Sequence, residues 1–163
     1  MRINVSVHKN TKQWDKMEKN LLRGADKVVR VGWWDSRHPS GVPTAQVAAW
    51  NEEGHMNGGI FSGTYTPPRP FIRMGFLPLA KKYLKSYAKG ILRDVALGKS
   101  SWAKYNKKMG EDMVKLLQET ILAWDTPANS AVTISMKGFN DPLIDTGNMY
   151  DAVKYRIVRI TEK

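Results

Sequence analysis

A chain of 163 residues is long enough to bury one real core and too short for two comfortable ones. It carries 26 Lys and Arg against 15 Asp and Glu, a formal charge of +11, which favours an anionic partner such as nucleic acid or an acidic protein face. The absence of cysteine excludes disulfides, thiolate catalysis and Cys-based zinc sites. No apolar run is long enough to cross a membrane, and the opening MRINVSVHKN lacks the apolar segment of a signal peptide. A soluble product made in the cytoplasm is the expectation.

In chain order, residues 2–7 alternate, with Ile3, Val5 and Val7 on one face, and predict a half-buried strand. Asn10 stands three residues before Gln13, a capping-box arrangement that opens a helix. Trp14, Met17 and Leu21 fall on one face of that helix, and Gly24 is its expected stop. Residues 27–35 (KVVRVGWWD) are rich in β-branched and aromatic types and predict the second strand. A loop over 35–43 (DSRHPSGVP) precedes a short helix, Thr44–Glu53, with Gly54 as its left-handed end. Residues 55–70 (HMNGGIFSGTYTPPRP) are broken repeatedly by Gly and Pro and predict an arm, extended or a hairpin with a flexible tip. Segments this long without regular structure are usually functional or disordered.

Pro78 opens the next helix within its first turn. Leu84, Tyr87, Ala88, Ile91, Leu92 and Val95 form its apolar face, to an end near Gly98. A second long helix begins at Ser100 or Ser101, with the stripe Trp102, Tyr105, Met109, Met113, Leu116, Leu117, Ile121 and Trp124. Gly110 sits inside it as a weak point or bend. Ala131–Lys137 (AVTISMK) fits a strand by its alternation and a two-turn helix equally well by its length. Residues 152–160 alternate as a last strand. The order β-α-β-α-arm-α-α-β is that of an α+β domain. The expectation is one domain over residues 1–163: a small mixed β-sheet packed by two long helices, with an extended arm or hairpin loop protruding at about 55–70.

A search for chemistry finds little. His8, His38 and His55 are the only histidines, and no pair has metal-ligand spacing. Asp141 and Asp145 straddle a Pro-Leu-Ile turn without the dense oxygen ligands of a calcium loop or a third catalytic partner. The Asp145-Thr146-Gly147 corner reads best as a structural turn, Asp145 accepting from the following amides or capping a short helix beyond. Gly58, Gly59 and Gly63 precede no GK[ST], and Ser40 lacks a GxSxG frame. No catalytic residue, metal ligand or cofactor is expected, and the chain does not read as an enzyme. The basic character is concentrated, since twelve Lys or Arg stand against three Asp or Glu between Arg69 and Lys115. Either this is a solvated helix face or it meets an anionic surface, each phosphate contact adding a salt-dependent, sequence-independent term. No helix-turn-helix or zinc-finger signature accompanies it.

Four stretches, in order, carry a resemblance: TAQVAAWNEEG at 44–54, PPRPF at 67–71, WDTPANSAVTISMKG at 124–138 and DPLIDTGNMYDAV at 141–153. Together they resemble the small tail-completion or head–tail joining proteins of tailed bacteriophages, also described as virion morphogenesis or minor tail-component proteins. The likeness extends over about 27–160, and no single motif in it is specific. It departs from the family at one point: Asn51-Glu52-Glu53-Gly54 stands where a His-Glu-aromatic-Gly is frequent, so no role for that His carries over. The resemblance favours a short helix at Ala131–Lys137. It implies a structural protein of the virion neck, made in the host bacterial cytoplasm. It also implies a tail-completion or tail-terminator subunit that closes with itself into a ring, commonly a hexamer. The implied partners are a head–tail connector or adaptor protein, a tail tube or tail terminator protein, and genomic DNA passing non-specifically through the channel.

On this reading the subunit-interface candidates are Ile60, Phe61, Tyr65, Arg69, Phe71, Asp145 and Thr146. Lys81, Lys82, Lys85, Lys89, Lys104, Lys107 and Lys108 are the candidates to face DNA or an acidic surface. The alternative is a non-specific DNA-binding protein acting through the basic helices at 78–115. A metal-dependent hydrolase built on Asp141 and Asp145 is the weakest reading.

Overall fold

The computed structural model describes residues 11–24, 26–59 and 62–160; the strand expected at 2–7 and the Asn10 cap lie outside them. Helix α1 (Thr11–Leu22) precedes strand β1 (Lys27–Gly32) and helix α2 (Thr44–Glu53). A hairpin of two short strands follows, β2 (His55–Met56) and β3 (Tyr65–Thr66). A π-helical turn, Phe71–Phe76, then continues into α3 (Leu77–Ala96), with Pro78 in the first turn as expected. Helices α4 (Trp102–Ala123), α5 (Ala131–Lys137) and α6 (Asn148–Asp151) and strand β4 (Lys154–Arg159) complete an α+β fold.

The main ribbon joins the two halves of the chain. β1 pairs antiparallel with β4, from Lys27↔Arg159 to Gly32↔Lys154, and β2 pairs antiparallel with β3. The expected mixed sheet is therefore two antiparallel ribbons among the described residues. β1 stops at Gly32 rather than Asp35, because the next side chains are used elsewhere. Trp33 Nε1 donates to Met149 O at 2.7 Å, Trp34 lies under the Arg156 guanidinium, and Asp35 takes a positive φ of 56°.

The core forms where α2, the π-helical turn, α4 and the 143–153 segment meet. Ala48, Phe71, Leu117, Ile121, Leu143, Met149 and Val153 are buried together. Phe71 and each buried Leu or Ile contribute about 1.5–3 kcal/mol by leaving water. Trp33 meets Phe71 edge-on, with ring centroids 6.3 Å apart.

Helix α4 begins where its cap predicts, the Ser101 hydroxyl accepting from Lys104 N. Its Gly110 is the site of a close approach. The residue is buried, and a β-carbon there would stand 2.5 Å from Tyr155 Cγ and 2.7 Å from Cε2, closer than real β-carbons come. β4 thus lies directly on the α4 backbone. Gly75 plays the same part in the π-helical turn, where an added β-carbon would meet Thr120 Cγ2 of α4 at 2.6 Å.

Two expected faces are displaced. On α3, Ala80, Ile91 and Val95 are buried, but Leu84 is 41% and Leu92 53% exposed, and Ala88 is exposed too. α4 approaches a different flank, through tyrosines and carboxylates instead of leucines. Tyr83 stacks on Tyr87 at 5.2 Å and Tyr87 meets Tyr105 edge-on at 5.7 Å. Tyr83 Oη donates to Asp112 and Tyr105 Oη to Asp94. On α1, Met17 and Leu21 are half-buried while Trp14 is 66% exposed. α1 is tied to its neighbours by polar contacts, Asn20 Nδ2 to Ala96 O at 3.4 Å and Trp102 Nε1 to Leu21 O at 2.9 Å.

Candidate functional site

The site begins at the end of α2. Thr44, Ala48 and Glu52 lie one turn apart on one face, and all three are buried. The last of them is a carboxylate, and it finds donors at the start of the next helical segment. Glu52 Oε2 accepts from Ile72 N at 2.8 Å, and Oε1 accepts from Arg73 N and Arg73 Nε, both at 3.0 Å. A carboxylate facing the free amides of a helix start is favoured by hydrogen bonding and by the helix dipole. Gly54 takes a positive φ of 76° but a ψ of 161°, so it is not the left-handed end expected; the extended ψ turns the chain out into the β2–β3 hairpin. The chain returns beside its exit, Arg69 N donating to Asn51 O at 2.7 Å.

Arg69 is the hub of the site. It is 7% exposed and has no carboxylate partner among the described residues. Its guanidinium donates instead to Pro142 O at 2.9 Å, Asn129 Oδ1 at 3.0 Å, Pro127 O at 3.3 Å and Asn51 Oδ1 at 3.4 Å. One side chain thus braces α2, the loop before α5 and the corner after it. Burial lowers its pKa from the ordinary arginine value, although a guanidinium keeps its charge at any physiological pH.

Helix α5 is the two-turn helix, started by Ser130 Oγ, which accepts from Thr133 N, and ended by Gly138 in the left-handed region. Its Lys137 Nζ donates to Asp141 O at 2.8 Å and to Ile144 O. Burial pushes the Lys137 ammonium below its usual pKa, helped by the charge of Arg69 and opposed by Asp145 and Asp141. At the 145–147 corner Thr146, not Asp145, holds the turn: Thr146 Oγ1 accepts from Asn148 N at 3.4 Å. Asn148 Oδ1 in turn accepts from Thr44 Oγ1 of α2 at 3.1 Å.

Between these elements lies an open cleft of about 610 Å³. Its walls include Val47 and Asn51 of α2, Arg69, Asn129, Met136 and Lys137 around α5, and Asp145 and Thr146 of the corner. All four stretches that carry the sequence resemblance thus converge on one place. Among the described residues no group of three or more His, Asp or Glu is placed to hold a metal ion.

The expected interface residues divide. Asp145 and Thr146 are exposed on the cleft, and Tyr65 is exposed on β3. Ile60 and Phe61 lie outside the described residues. Arg69 and Phe71 belong to the inside of the subunit: Phe71 is 0% exposed, so as placed neither offers surface to a neighbour. The seven lysines are all exposed. Lys107 and Lys108 pair in-helix with Glu111 at 3.9 Å and Asp112 at 3.1 Å. Lys81, Lys82, Lys85 and Lys89 make no ion pair with described residues. Glu52 was not among the expected site residues, though the i, i+4 spacing Thr44–Ala48–Glu52 was its visible signal. Asn129 left no such trace, since its role depends on where a distant Arg lands. No family model, curated protein or solved structure matches the chain.

Proposed function

We propose that this protein is a structural subunit of the neck of a tailed bacteriophage, a ring-forming tail-completion or tail-terminator protein. The observation that supports the reading is the convergence of the four resembling stretches, scattered over 110 positions from 44 to 153, on the single cleft braced by Arg69. In a subunit that works by shape, such a brace fixes the relative positions of surface elements. Those elements are the hairpin with Tyr65, the Asp145–Thr146 rim and the lysine-bearing α3. A head-to-tail ring needs two different surfaces on one subunit, and the hairpin and the rim are the two this reading uses.

The test is the mass of the purified protein by light scattering, at low and moderate salt, with and without DNA. A closed oligomer that forms without DNA and is lost when residues 55–65 are deleted supports the ring. A folded monomer in every condition, including with tails or heads purified from the phage, overturns it. A second reading has its own observation, the lysines of α3 that make no ion pair with described residues. A free monomer that binds duplex DNA with a log–log salt slope of about −0.9 per phosphate contact would make this a non-specific DNA-binding protein instead.

A further inference from the structure

The two long helices treat their lysines differently. Each of three lysines on α4 has a carboxylate one turn on: Lys107–Glu111, Lys108–Asp112 and Lys115–Glu119. On α3 the residue one turn beyond Lys81 is Lys85, beyond Lys85 is Lys89, and beyond Lys89 is Arg93. Like charges at i, i+4 repel and cost helix stability, and no described carboxylate relieves them. Beside this row runs a second one, Leu84, Ala88 and Leu92, three residues out of step and therefore its lateral neighbour on the helix surface. These side chains are exposed as well. The α3 surface thus pairs an uncompensated cationic row with an adjacent apolar row.

We propose that this face of α3 is a docking site for an acidic amphipathic helix of a different protein, carboxylates meeting Lys81, Lys85 and Lys89 and apolar side chains covering Leu84, Ala88 and Leu92. The cationic row selects the charge of the partner. The apolar row argues against nucleic acid, whose backbone offers phosphates but nothing to cover three apolar side chains. A second copy of this chain fits poorly, because no described helix carries a row of carboxylates: α1 and α4 interleave theirs with lysines. α2 has only Glu52 and Glu53, the first of them buried. The inference rests on the neck reading only for the identity of the partner, since that reading requires another protein to be bound; the surface argument stands on α3 alone.

The experiment uses the full chain and a labelled synthetic helix with Glu at i, i+4, i+8 beside a Leu row, read by fluorescence anisotropy. Two control probes accompany it: a Glu-containing helix with Ala in place of Leu, and a 20-base-pair duplex. Lys85→Glu with Lys89→Glu is expected to weaken binding of the first peptide by about tenfold or more, through like-charge contacts. Leu84→Gln with Leu92→Gln is expected to weaken it comparably at unchanged fold, since both sites are already exposed. Three results overturn the proposal. In the first, the Leu84/Leu92 pair has no effect or the Ala helix binds as well, which leaves charge alone. In the second, the duplex binds while the peptide does not. In the third, the native protein self-associates and the Leu84/Leu92 pair abolishes it, which makes the occupant a second copy. A ring that forms normally while the peptide fails to bind refutes this inference without touching the neck reading.

Discussion

Replacing Gly110 by Ala separates two effects of opposite sign. In an isolated helix the change stabilises, because Gly costs about 1 kcal/mol relative to Ala in a helix interior. Here the new methyl clashes with the Tyr155 ring, with Cγ at 2.5 Å and Cε2 at 2.7 Å. Ordinary carbon contacts begin near ~3.5 Å, so the ring must retreat by about 1 Å. It has little room to do so, because Tyr155 sits in β4 paired to Val31, and moving it pulls on the ribbon. Overpacking of this kind costs about 1–3 kcal/mol. The upper part of that range is expected here, for a net loss of about 1–2 kcal/mol after the helix gain. In a Tyr155→Ala background the obstacle is gone and the same change should stabilise by up to about 1 kcal/mol. The reversal corresponds to a coupling of about 2–3 kcal/mol between the two sites. Urea unfolding of the four proteins at one fixed concentration measures it, with unchanged m-values as the control. If Gly110→Ala stabilises the native chain as much as it stabilises the Tyr155→Ala chain, the close packing of β4 on α4 is refuted.

Arg69→Met removes donors from Pro142 O, Pro127 O and Asn129 Oδ1, a loss of about 2–4 kcal/mol only partly offset by removing a buried charge. Arg69→Lys should not restore stability, since one ammonium cannot span α2 and the two segments flanking α5, and a stable Lys variant would contradict the brace. Glu52→Gln keeps one acceptor but loses the charge facing the amides of Ile72 and Arg73. About 1–2 kcal/mol is expected to be lost, seen as a Tm lower by about 2–8 °C in calorimetry; an unchanged Tm would argue against a cap. Asp112 titrates below the ordinary carboxylate range. Burial pushes its carboxyl up, but hydrogen bonds from Tyr83 and Lys108 and the charges of Lys108 and Lys115 outweigh it. A depressed folded pKa gives stability that is present above the unfolded value and lost as pH falls through the folded one. The stability gap between the native chain and Asp112→Asn should therefore narrow as the pH falls through the carboxylate range and below it, and a gap independent of pH would remove Asp112 from the account.

Where local chemistry decides, the sequence was readable. The span of α2 follows from its residue types and Gly54. Turn residues and periodicity narrowed the start of α4 to Ser100 or Ser101 and the 55–70 arm to an extended segment or a hairpin; the structure selects Ser101 and the hairpin. At Ala131–Lys137 alternation and length disagreed; Ser130 and Gly138, a cap and a left-handed stop, close the helix whatever the pattern between them. The face of α3 was rotated because counting leucines assumes that neighbours pack through aliphatic groups. Here α4 meets Tyr87, which the apolar face did include, together with Tyr83 and Asp94, which no hydrophobicity pattern selects. The Arg69 brace was legible only as an Arg-Pro-Phe string. Its partners are two proline carbonyls and two asparagines 18 to 73 positions away, and nothing in the identity of a backbone carbonyl marks it in advance. The π-helical turn at 71–76 was unforeseen for the same reason: its amides meet the distant Glu52, and Thr120 of α4 packs where a side chain at Gly75 would stand.

The double clasp at the root of the hairpin has a consequence for how this chain tolerates change. Asn51 O and Arg69 N close the loop at its neck, and Glu52 fastens the segment immediately beyond. Whatever lies between Gly54 and Arg69 is therefore spliced onto a frame that does not need it. Lengthening such a closed loop is cheap, about 0.6 kcal/mol for each doubling. An epitope or a reactive tag grafted at Gly58-Gly59, where no other described residue lies within 4 Å of an added β-carbon, should leave the rest of the subunit as it is. The hairpin is the part of this molecule that can be rewritten while the body stays constant.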